Sequence, residues 1–222
     1  MIKNENITIV KKDDCKYFYI DNWFSNEQLN LIWKELDFLT ASELERASKN
    51  VAHIDGKFVG DHFRIYPNEI YTNPIGTSKS FLINSVNLQK NEQFKDLVFE
   101  TFGTMGRMWF STNMDTTFIS YYENNDYYDS HCDCAAFSVL IWLYKKPKKF
   151  TGGDLYLTDY NEKIDCVSNR LLIIPSFYNH QVDKLNFKGK KGWGRYTLTT
   201  FYLHIPQTNI EIYDKNKNIK HT

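Results

Sequence analysis

The spacing of apolar residues predicts two amphipathic helices in the first half of the chain. A capping box at Ser25 and Gln28 opens the first helix, which we expect to continue in some form toward Ser48. Asn91 caps the second helix. The apolar stripes consist of Leu29, Ile32, Trp33 and Leu36 in the first helix and of Phe94, Leu97, Val98, Phe102 and Met105 in the second. Stripes at this spacing are typical of faces that pack on a core, so we interpret both helices as packing for a sheet.

The remainder of the first half favours extended structure. Residues 7–20 are predicted to form a strand, and residues 51–60 a hairpin that turns at Asp55–Gly56. Residues 61–90 contain no recognisable sequence motif and are predicted to form short strands and loops.

From Thr116 onward the helical period is lost, and short apolar runs alternate with turn residues. The predicted strands are residues 116–123, 127–133, 137–144, 154–158, 163–167, 170–175, 180–183 and 195–204. Strands of this length and spacing indicate a sandwich or barrel, of which a jelly roll is the closed form. We therefore predict a mainly β fold with supporting α-helices (α+β), in which N-terminal helices pack on one face of a double-stranded β-helix, or jelly roll.

The length predicts one domain over residues 1–222. Residues 1–115 are expected to supply the supporting strands and helices, and residues 116–205 the jelly-roll core. Residues 206–222 are polar and rich in Lys and Asn, and are expected to form a C-terminal tail.

Composition and charge argue against several classes of partner. Lys plus Arg equals Asp plus Glu at 27 each, so no overall electrostatic field draws the chain toward nucleic acid or a membrane.

The longest apolar runs have the length of strands, and the polar start of the chain lacks the apolar stretch of a signal peptide. The cysteines at 15, 132, 134 and 166 are predicted to be reduced thiols. We therefore expect a cytoplasmic protein.

The H-x-D motif at His131 and Asp133 is the strongest candidate for chemistry. In an extended strand these two side chains point to one face, whereas Cys132 and Cys134 point to the other. A third ligand is available downstream at His180. Two histidines and one carboxylate on one face of a metal leave its other positions open, which is the arrangement expected of non-haem Fe(II) oxygenases.

Two other metal sites compete with this interpretation. His131 together with Cys132 and Cys134 would resemble a thiolate zinc site, although strand alternation turns the cysteines away from the histidine. A second H-x-D motif, His53 and Asp55, lies at the predicted hairpin turn, where alternation breaks down. We interpret that second motif as part of a surface hairpin.

Arg195 begins the last predicted strand, and Thr197 faces the same way. An arginine in the core of a barrel is costly unless a carboxylate meets it. A small dicarboxylate bound to the metal would be such a partner, because it pairs with a guanidinium through two hydrogen bonds. Lys190 and Lys191 are rival partners, but they lie among glycines, whereas Arg195 opens an apolar alternating strand.

Taken together, these motifs resemble the 2-oxoglutarate- and Fe(II)-dependent dioxygenases, and within them the prolyl 4-hydroxylase-like branch. The resemblance covers roughly residues 118–204. It rests on Y-x-x-x-x-x-Y-x-x-H-x-D, G-G-D-L, R-L-L-I-I-P followed by H-x-V, and R-Y-T-L-T-T-F-Y.

The resemblance implies an enzyme that uses Fe(II), 2-oxoglutarate and O2, with ascorbate as a possible accessory reductant. His131, Asp133 and His180 match the iron ligands of the family. Because Asp133 is present, the resemblance implies hydroxylation of an unactivated C–H bond rather than halogenation, which needs that ligand position vacant. Decarboxylation of 2-oxoglutarate to succinate accompanies the hydroxylation.

The same resemblance implies which residues bind the cosubstrate. Arg195 matches the arginine that pairs with the distal carboxylate of 2-oxoglutarate, with Thr197 beside it. Tyr122 matches a tyrosine that hydrogen-bonds the cosubstrate. The sequence departs from the family where another such tyrosine is replaced by Trp142, which cannot accept a hydrogen bond, and Tyr144 is a candidate substitute.

For the substrate, the resemblance implies a peptidyl proline, and hence a protein or peptide partner. The main alternative is an oxygenase acting on a nucleobase or a small molecule. Alkylation-repair oxygenases carry a second arginine six residues after the first, where this chain has Phe201. The basic run at 145–149 is a candidate for phosphate binding, although such a run is more often a solvated loop. A non-enzymatic jelly-roll or zinc-binding module is the remaining alternative.

Overall fold

The computed structural model describes residues 3–42, 45–46, 53–54, 56–72, 79–85, 88 and 91–206. The helices are α1 (Asn26–Ser42), α2 (Pro67–Ile70), α3 (Phe81–Asn84), α4 (Glu92–Phe102) and α5 (Arg107–Ser111), with 3-10 turns at Asn4–Asn6, Gly103–Gly106 and Thr158–Tyr160. None of the helices in these ranges has the length and apolar character needed to cross a bilayer.

The strands precede, interrupt and follow these helices. They are β1 (Ile7–Lys12), β2 (Cys15–Ile20), β3 (Glu45–Arg46), β4 (His53–Ile54), β5 (Lys57–Phe58), β6 (Gly60–Asp61), β7 (Phe63–Ile65), β8 (Met114–Tyr122), β9 (Tyr127–His131), β10 (Phe137–Leu143), β11 (Phe150–Thr151), β12 (Leu155–Leu157), β13 (Glu162–Ile164), β14 (Arg170–Pro175), β15 (His180–Val182), β16 (Asn186–Phe187) and β17 (Arg195–Leu203). Each strand predicted from residue 116 onward overlaps an observed strand, although the bounds differ by up to three residues at an end.

Two antiparallel sheets form a jelly-roll core, as the strand pattern predicted. Across the described residues, the major sheet has the strand order β1-β2-β14-β10-β17-β8-β7-β3, and the minor sheet has the order β13-β12-β15-β9-β6. Two further short pairs, β4–β5 and β11–β16, lie outside both sheets.

The major sheet is covered on both faces, so successive side chains along its strands are buried in two different hydrophobic clusters. Along β10, Val139 and Ile141 join the hydrophobic cluster that contains the helices, whereas Leu140 and Trp142 join the cluster that contains the minor sheet. Because successive side chains point to opposite faces, both sets are buried, and β10 is apolar almost throughout. The helices therefore close one face and leave the other for the site.

Three predictions for the first half of the chain are corrected by the structure. Residues 7–20 form a hairpin rather than one strand, because Asp13 adopts a left-handed turn conformation with φ 50° between β1 and β2. Helix α1 ends at Ser42 instead of continuing toward Ser48, and Glu45–Arg46 is a strand at the edge of the major sheet. The apolar stripe ends after Leu39, since the next positions on that face, 42 and 43, are serine and glutamate.

The third correction concerns residues 61–90, for which only short strands and loops were predicted. This region also contains the short helices α2 and α3.

The predicted hairpin at residues 51–60 is confirmed by the antiparallel pairing of β4 with β5. Gly56 supplies the positive φ of 75° that its turn requires. Asp55 and the side chain of His53 lie outside the described residues, as does the chain from 207 onward that was predicted to be a polar tail.

Helix α4 offers a matched test of the helix-side core. Phe94 is fully buried and packs edge-on against Phe18 at 5.4 Å, whereas Phe99 on the same helix is 49% exposed. We expect Phe94→Ala to lower the free energy of unfolding by about 3–5 kcal/mol, because it removes a buried ring and leaves a cavity. Phe99→Ala should change it by less than about 0.5 kcal/mol. Urea unfolding of both variants measures the difference, and equal effects would contradict the packing described here.

Candidate metal centre and anion site

Sheet pairing brings two histidines together at the edge of the space between the sheets. His131 ends β9 and His180 begins β15, and the two residues are direct partners in the antiparallel pairing of these strands. Their ring centroids lie 4.4 Å apart, and each residue is 5% exposed. Residues that are 49 positions apart in sequence are thus neighbours because of strand register.

Backbone carbonyl groups orient both imidazoles. Nδ1 of His131 lies 2.8 Å from the carbonyl oxygen of Asp129, and Nδ1 of His180 lies 2.9 Å from that of Tyr178. A carbonyl oxygen can only accept a hydrogen bond, so each Nδ1 must carry the proton and donate. In the neutral ring Nε2 then carries the lone pair, and this is the form of imidazole that binds a metal.

Asp133 completes the set from a loop. Its Oδ1 lies 3.7 Å from Nε2 of His131, and its Oδ2 lies 3.6 Å from Nε2 of His180. The strand prediction for residues 127–133 is too long, because β9 ends at His131. Strand alternation therefore does not place Asp133, although its carboxylate still converges with the two histidines.

Two buried serines place the carboxylate instead. Ser138 donates to Oδ2 of Asp133 at 2.7 Å, and the hydroxyl groups of Ser138 and Ser176 lie 2.8 Å apart. Because Ser138 has one hydroxyl proton and gives it to Asp133, Ser176 must be the donor between the serines. The backbone N–H of Asp133 also donates to the carbonyl oxygen of Ser176, at 2.8 Å. Neither serine was identified from sequence, although Ser138 is a polar residue in an otherwise apolar strand.

The three side chains form a donor set suited to a divalent metal. One ligand atom from each of His131, Asp133 and His180 lies within 4.8 Å of the others. Burial, followed by the neighbouring His180, lowers the pKa of His131, so its imidazole is neutral at neutral pH. Two imidazole nitrogens and one carboxylate match the facial arrangement that non-haem Fe(II) prefers.

Arg195 lies in the same cavity as this donor set. It is 1% exposed, and its Nη1 donates to Thr197 at 2.7 Å. Its Nε has no hydrogen-bond partner, and among the described residues no carboxylate lies within ion-pair distance of the guanidinium. A buried cation without a carboxylate is costly, and an anionic ligand would relieve that cost.

Aromatic rings and a glycine shape the space around Arg195. Its guanidinium carbon lies 4.8 Å from the ring centroid of Tyr122 and 5.8 Å from that of Trp142. Trp142 is fully buried on the strand position opposite Thr197, and its indole N–H also has no partner among the described residues. Gly153, with φ +76°, has no room for a side chain, because a Cβ there would lie 2.9 Å from Cδ of Arg195. The G-G-D-L motif therefore allows the cavity wall to approach the arginine.

The rival residues from the sequence lie elsewhere. Lys190 and Lys191 are exposed, and so are Cys132 and Cys134, whose thiols are free. Tyr144 does not line the cavity; its backbone exchanges hydrogen bonds with Ser168. The basic run at 145–149 is likewise absent from the described cavity lining.

Sequence comparison finds no match for this chain, either among protein-family models or among curated proteins. Solved structures share its fold. A prolyl-4-hydroxylase from Pseudomonas putida is 14% identical with a TM-score of 0.57, and the alignment covers 86% of this chain and 93% of that one. A prolyl hydroxylase from Trichoplax adhaerens, in complex with a peptide fragment of the hypoxia inducible factor oxygen degradation domain, is 13% identical with a TM-score of 0.58, covering 93% and 87%.

A third structure with this fold is NgTET1 in complex with 5mC DNA. It is 13% identical with a TM-score of 0.53, and the alignment covers 90% of this chain and 80% of that one. At these identities the three likenesses establish a common fold, and the choice among their substrates has to come from the residues of the site.

The role of Ser138 can be tested by metal binding. Ser138→Ala removes the hydroxyl that holds Asp133, so we expect about 10- to 100-fold weaker binding of Fe(II), the range found when such supporting contacts are lost. Anaerobic titration with Fe(II), or with Co(II) followed by its absorption, measures the affinity. The matched control is Ser111→Ala, which removes a hydroxyl at the exposed end of α5. Equal affinities for the two variants would show that Ser138 does not position the ligand.

Proposed function

We propose that this protein is an Fe(II)- and 2-oxoglutarate-dependent dioxygenase that hydroxylates an unactivated C–H bond, and that its substrate is a peptidyl proline. The observation that carries the proposal is the combination of a His-Asp-His donor set with a buried arginine, lacking a described carboxylate partner, in one cavity. A metal alone would account for the first feature but not for the second. A metal together with a dicarboxylate accounts for both.

The residues present fit the proposed metal. The Nε2 atoms of His131 and His180 lie 3.7 and 3.6 Å from the carboxylate oxygens of Asp133, and Ser138 holds that carboxylate. These three ligands would occupy one side of an ion and would leave the opposite positions for other ligands. The carbonyl groups that orient the imidazoles and the serine that orients the carboxylate keep the set in place before the metal binds.

The residues deeper in the cavity fit the proposed cosubstrate. Arg195 and Thr197 would hold the distal carboxylate of 2-oxoglutarate, because a guanidinium and a hydroxyl can both donate to it. Tyr122, Leu140 and Leu155 line the same cavity and exclude water from that ion pair. When bound, iron with 2-oxoglutarate and O2 supplies the oxidising chemistry: one oxygen atom enters the C–H bond, and the cosubstrate leaves as succinate and carbon dioxide.

Three observations support a peptide over a nucleobase as substrate. The chain has no net charge, and its basic run at 145–149 lies outside the described cavity lining, so the phosphate contacts that dominate nucleic-acid binding are not concentrated at the site. Phe201, at the position of the second arginine of alkylation-repair oxygenases, lines the cavity with an apolar ring. Two of the proteins that share the fold are prolyl hydroxylases, one of them bound to a peptide.

Cosubstrate binding is tested by exchanging Arg195. Arg195→Gln removes the charge that would pair with 2-oxoglutarate, and we expect the KM for 2-oxoglutarate to rise by about a hundred-fold. Arg195→Lys should give a smaller increase, since it keeps the charge but loses the paired hydrogen bonds. Succinate release at varied 2-oxoglutarate measures both. Lys191→Gln, an exposed rival cation, is the control, and an increase in that variant instead would assign the anion site to the loop.

The substrate is tested by mass spectrometry. Proline-containing peptides incubated with the protein, Fe(II), 2-oxoglutarate and O2 should gain 16 Da on proline, with one succinate formed for each hydroxylation. Asp133→Ala is the matched negative control, because it removes a metal ligand. Clear succinate release without a gain of 16 Da on any proline peptide would contradict a peptidyl proline substrate and leave the oxygenase assignment in place.

A further inference from the structure

The pairing of two short strands places two lysine-rich loops side by side on the surface. The first loop joins β10 to β11, and the second contains β16 and runs from β15 to β17. Phe150 of β11 lies opposite Phe187 of β16. Next to this pair, the backbone N–H of Lys188 donates to the carbonyl oxygen of Lys149 at 3.2 Å. Two segments that are distant in sequence therefore lie together in the fold.

This surface concentrates positive charge. Seven lysines of the two loops are exposed and form no ion pair with a carboxylate of the described residues, and we call them the lysine patch: Lys146, Lys148, Lys149, Lys184, Lys188, Lys190 and Lys191. Lys145 is not included, because it pairs with Asp37 at 2.5 Å. The chain as a whole is neutral, so its charges are unevenly distributed, and a local field of one sign attracts an oppositely charged partner.

The lysine patch adjoins a groove lined by aromatic rings. Lys146 belongs to both, and the partly exposed rings of Tyr144 and Trp193 line the groove. Nζ of Lys145 lies 5.6 Å from the ring centroid of Trp33 and 5.9 Å from that of Trp193, so these two indoles are neighbours. Partly exposed indole and phenol rings can stack on planar ligands.

The rest of the groove is polar and nearly free of acidic groups. Asn22, Asn26 and Asn30 present exposed side-chain amides, each of which can donate and accept hydrogen bonds. Among the described lining residues only Glu5 is acidic, and its carboxylate lies 3.9 Å from Nζ of Lys3. The groove therefore does not repel an anion that approaches from the lysine patch, and its amides can meet uncharged polar groups.

These features match one class of ligand better than its rivals. Single-stranded nucleic acid offers phosphates to the lysines and unpaired bases to the aromatic rings and amides. An acidic peptide would use the lysines but leave the rings without planar partners, and a duplex keeps the faces of its bases stacked on one another. Contacts between lysine and phosphate carry no sequence information, so we expect binding to tolerate any base sequence.

We propose that the lysine patch and the adjoining groove form a binding site for single-stranded nucleic acid, in which the lysines contact phosphates and Tyr144 and Trp193 stack on bases. None of these residues lines the cavity of the proposed metal site, so this site does not depend on the proposed function. Nucleic acid is a binding partner in this proposal and is not the group that is oxidised.

The first test follows the binding of a labelled thymidine strand of about 20 nucleotides by fluorescence anisotropy, a length that exceeds the site sizes usual for such surfaces. We expect a Kd of about 1–100 µM at physiological salt, the range typical of binding through phosphates. The logarithm of the binding constant should fall with the logarithm of salt concentration with a slope of about −3, which corresponds to about four phosphate contacts.

A combined variant with Lys149→Gln, Lys188→Gln and Lys190→Gln removes three charges from the lysine patch. We expect it to bind the strand at least about ten-fold more weakly, and with a salt slope shallower by about 2, because fewer phosphates are contacted. These substitutions leave Tyr144 and Trp193 in place.

The matched control combines Lys11→Gln, Lys57→Gln and Lys79→Gln. These three lysines are exposed and belong neither to the lysine patch nor to the described groove lining. Both variants lose the same total charge, so a difference between them reports where the charges lie. The control should keep the salt slope of the parent protein.

A second test uses the unmodified protein, so it cannot be confused with a loss of folding. An abasic strand of the same length keeps the phosphates but has no bases, and we expect it to bind about five-fold more weakly or worse, because stacking is lost. Polyglutamate of the same length should compete with the labelled strand less well than unlabelled thymidine strand does, for the same reason.

Four results would overturn the proposal. The first is no anisotropy change in the parent protein, and the second is an equal loss of binding in the two lysine variants. Equal binding of the abasic strand would show a surface that recognises charge alone. Equal competition by polyglutamate would assign the surface to an acidic protein segment instead of nucleic acid. None of these results would alter the proposed oxygenase function, which succinate release tests separately.

Discussion

The burial of the Arg195 guanidinium between two sheets is the interaction on which the rest of the site depends. Taking a charge out of water costs several kcal/mol, and the hydroxyl of Thr197, the side chain of Cys166 and two aromatic faces return only part of it. The fold nevertheless makes space for this side chain, because Gly153 lets the wall approach it without a Cβ. A protein that maintains such a group benefits from an anionic ligand, which stabilises the folded state when it binds.

The two-faced major sheet is what makes that burial possible. On β17, Tyr196 and Leu198 pack in the helix-side core, while Arg195 and Thr197 point into the cavity. The helices supply enough apolar contact on one face for the other face to carry polar groups. The proposed metal ligands come mainly from the minor sheet opposite, so they face the proposed anion site across the interval between the sheets.

Much of this organisation follows from local patterns. The short apolar runs between turn residues from residue 116 onward identified every strand of that region that belongs to the two large sheets, and the apolar stripe after Asn91 identified α4. The pairs His131 with Asp133 and Arg195 with Thr197 each lie two residues apart, so short-range patterns were enough to single them out. The errors fell where local signals are weak, as at Asp13, where a polar turn interrupts an apolar pattern, and after Ser42, where a short edge pairing replaces helix.

The sequence by itself determined the types of group that meet at the site, because imidazole, carboxylate and guanidinium are properties of residues and their spacing. Only the tertiary structure decided how those groups are held. The hydroxyl of Ser176 reaches Asp133 through Ser138, 38 positions before it, and Arg64 meets Tyr128 across 64 positions. Contacts of this kind depend on which strands pair and in which register, and that is set by how the whole core packs, so no local pattern along the chain records them.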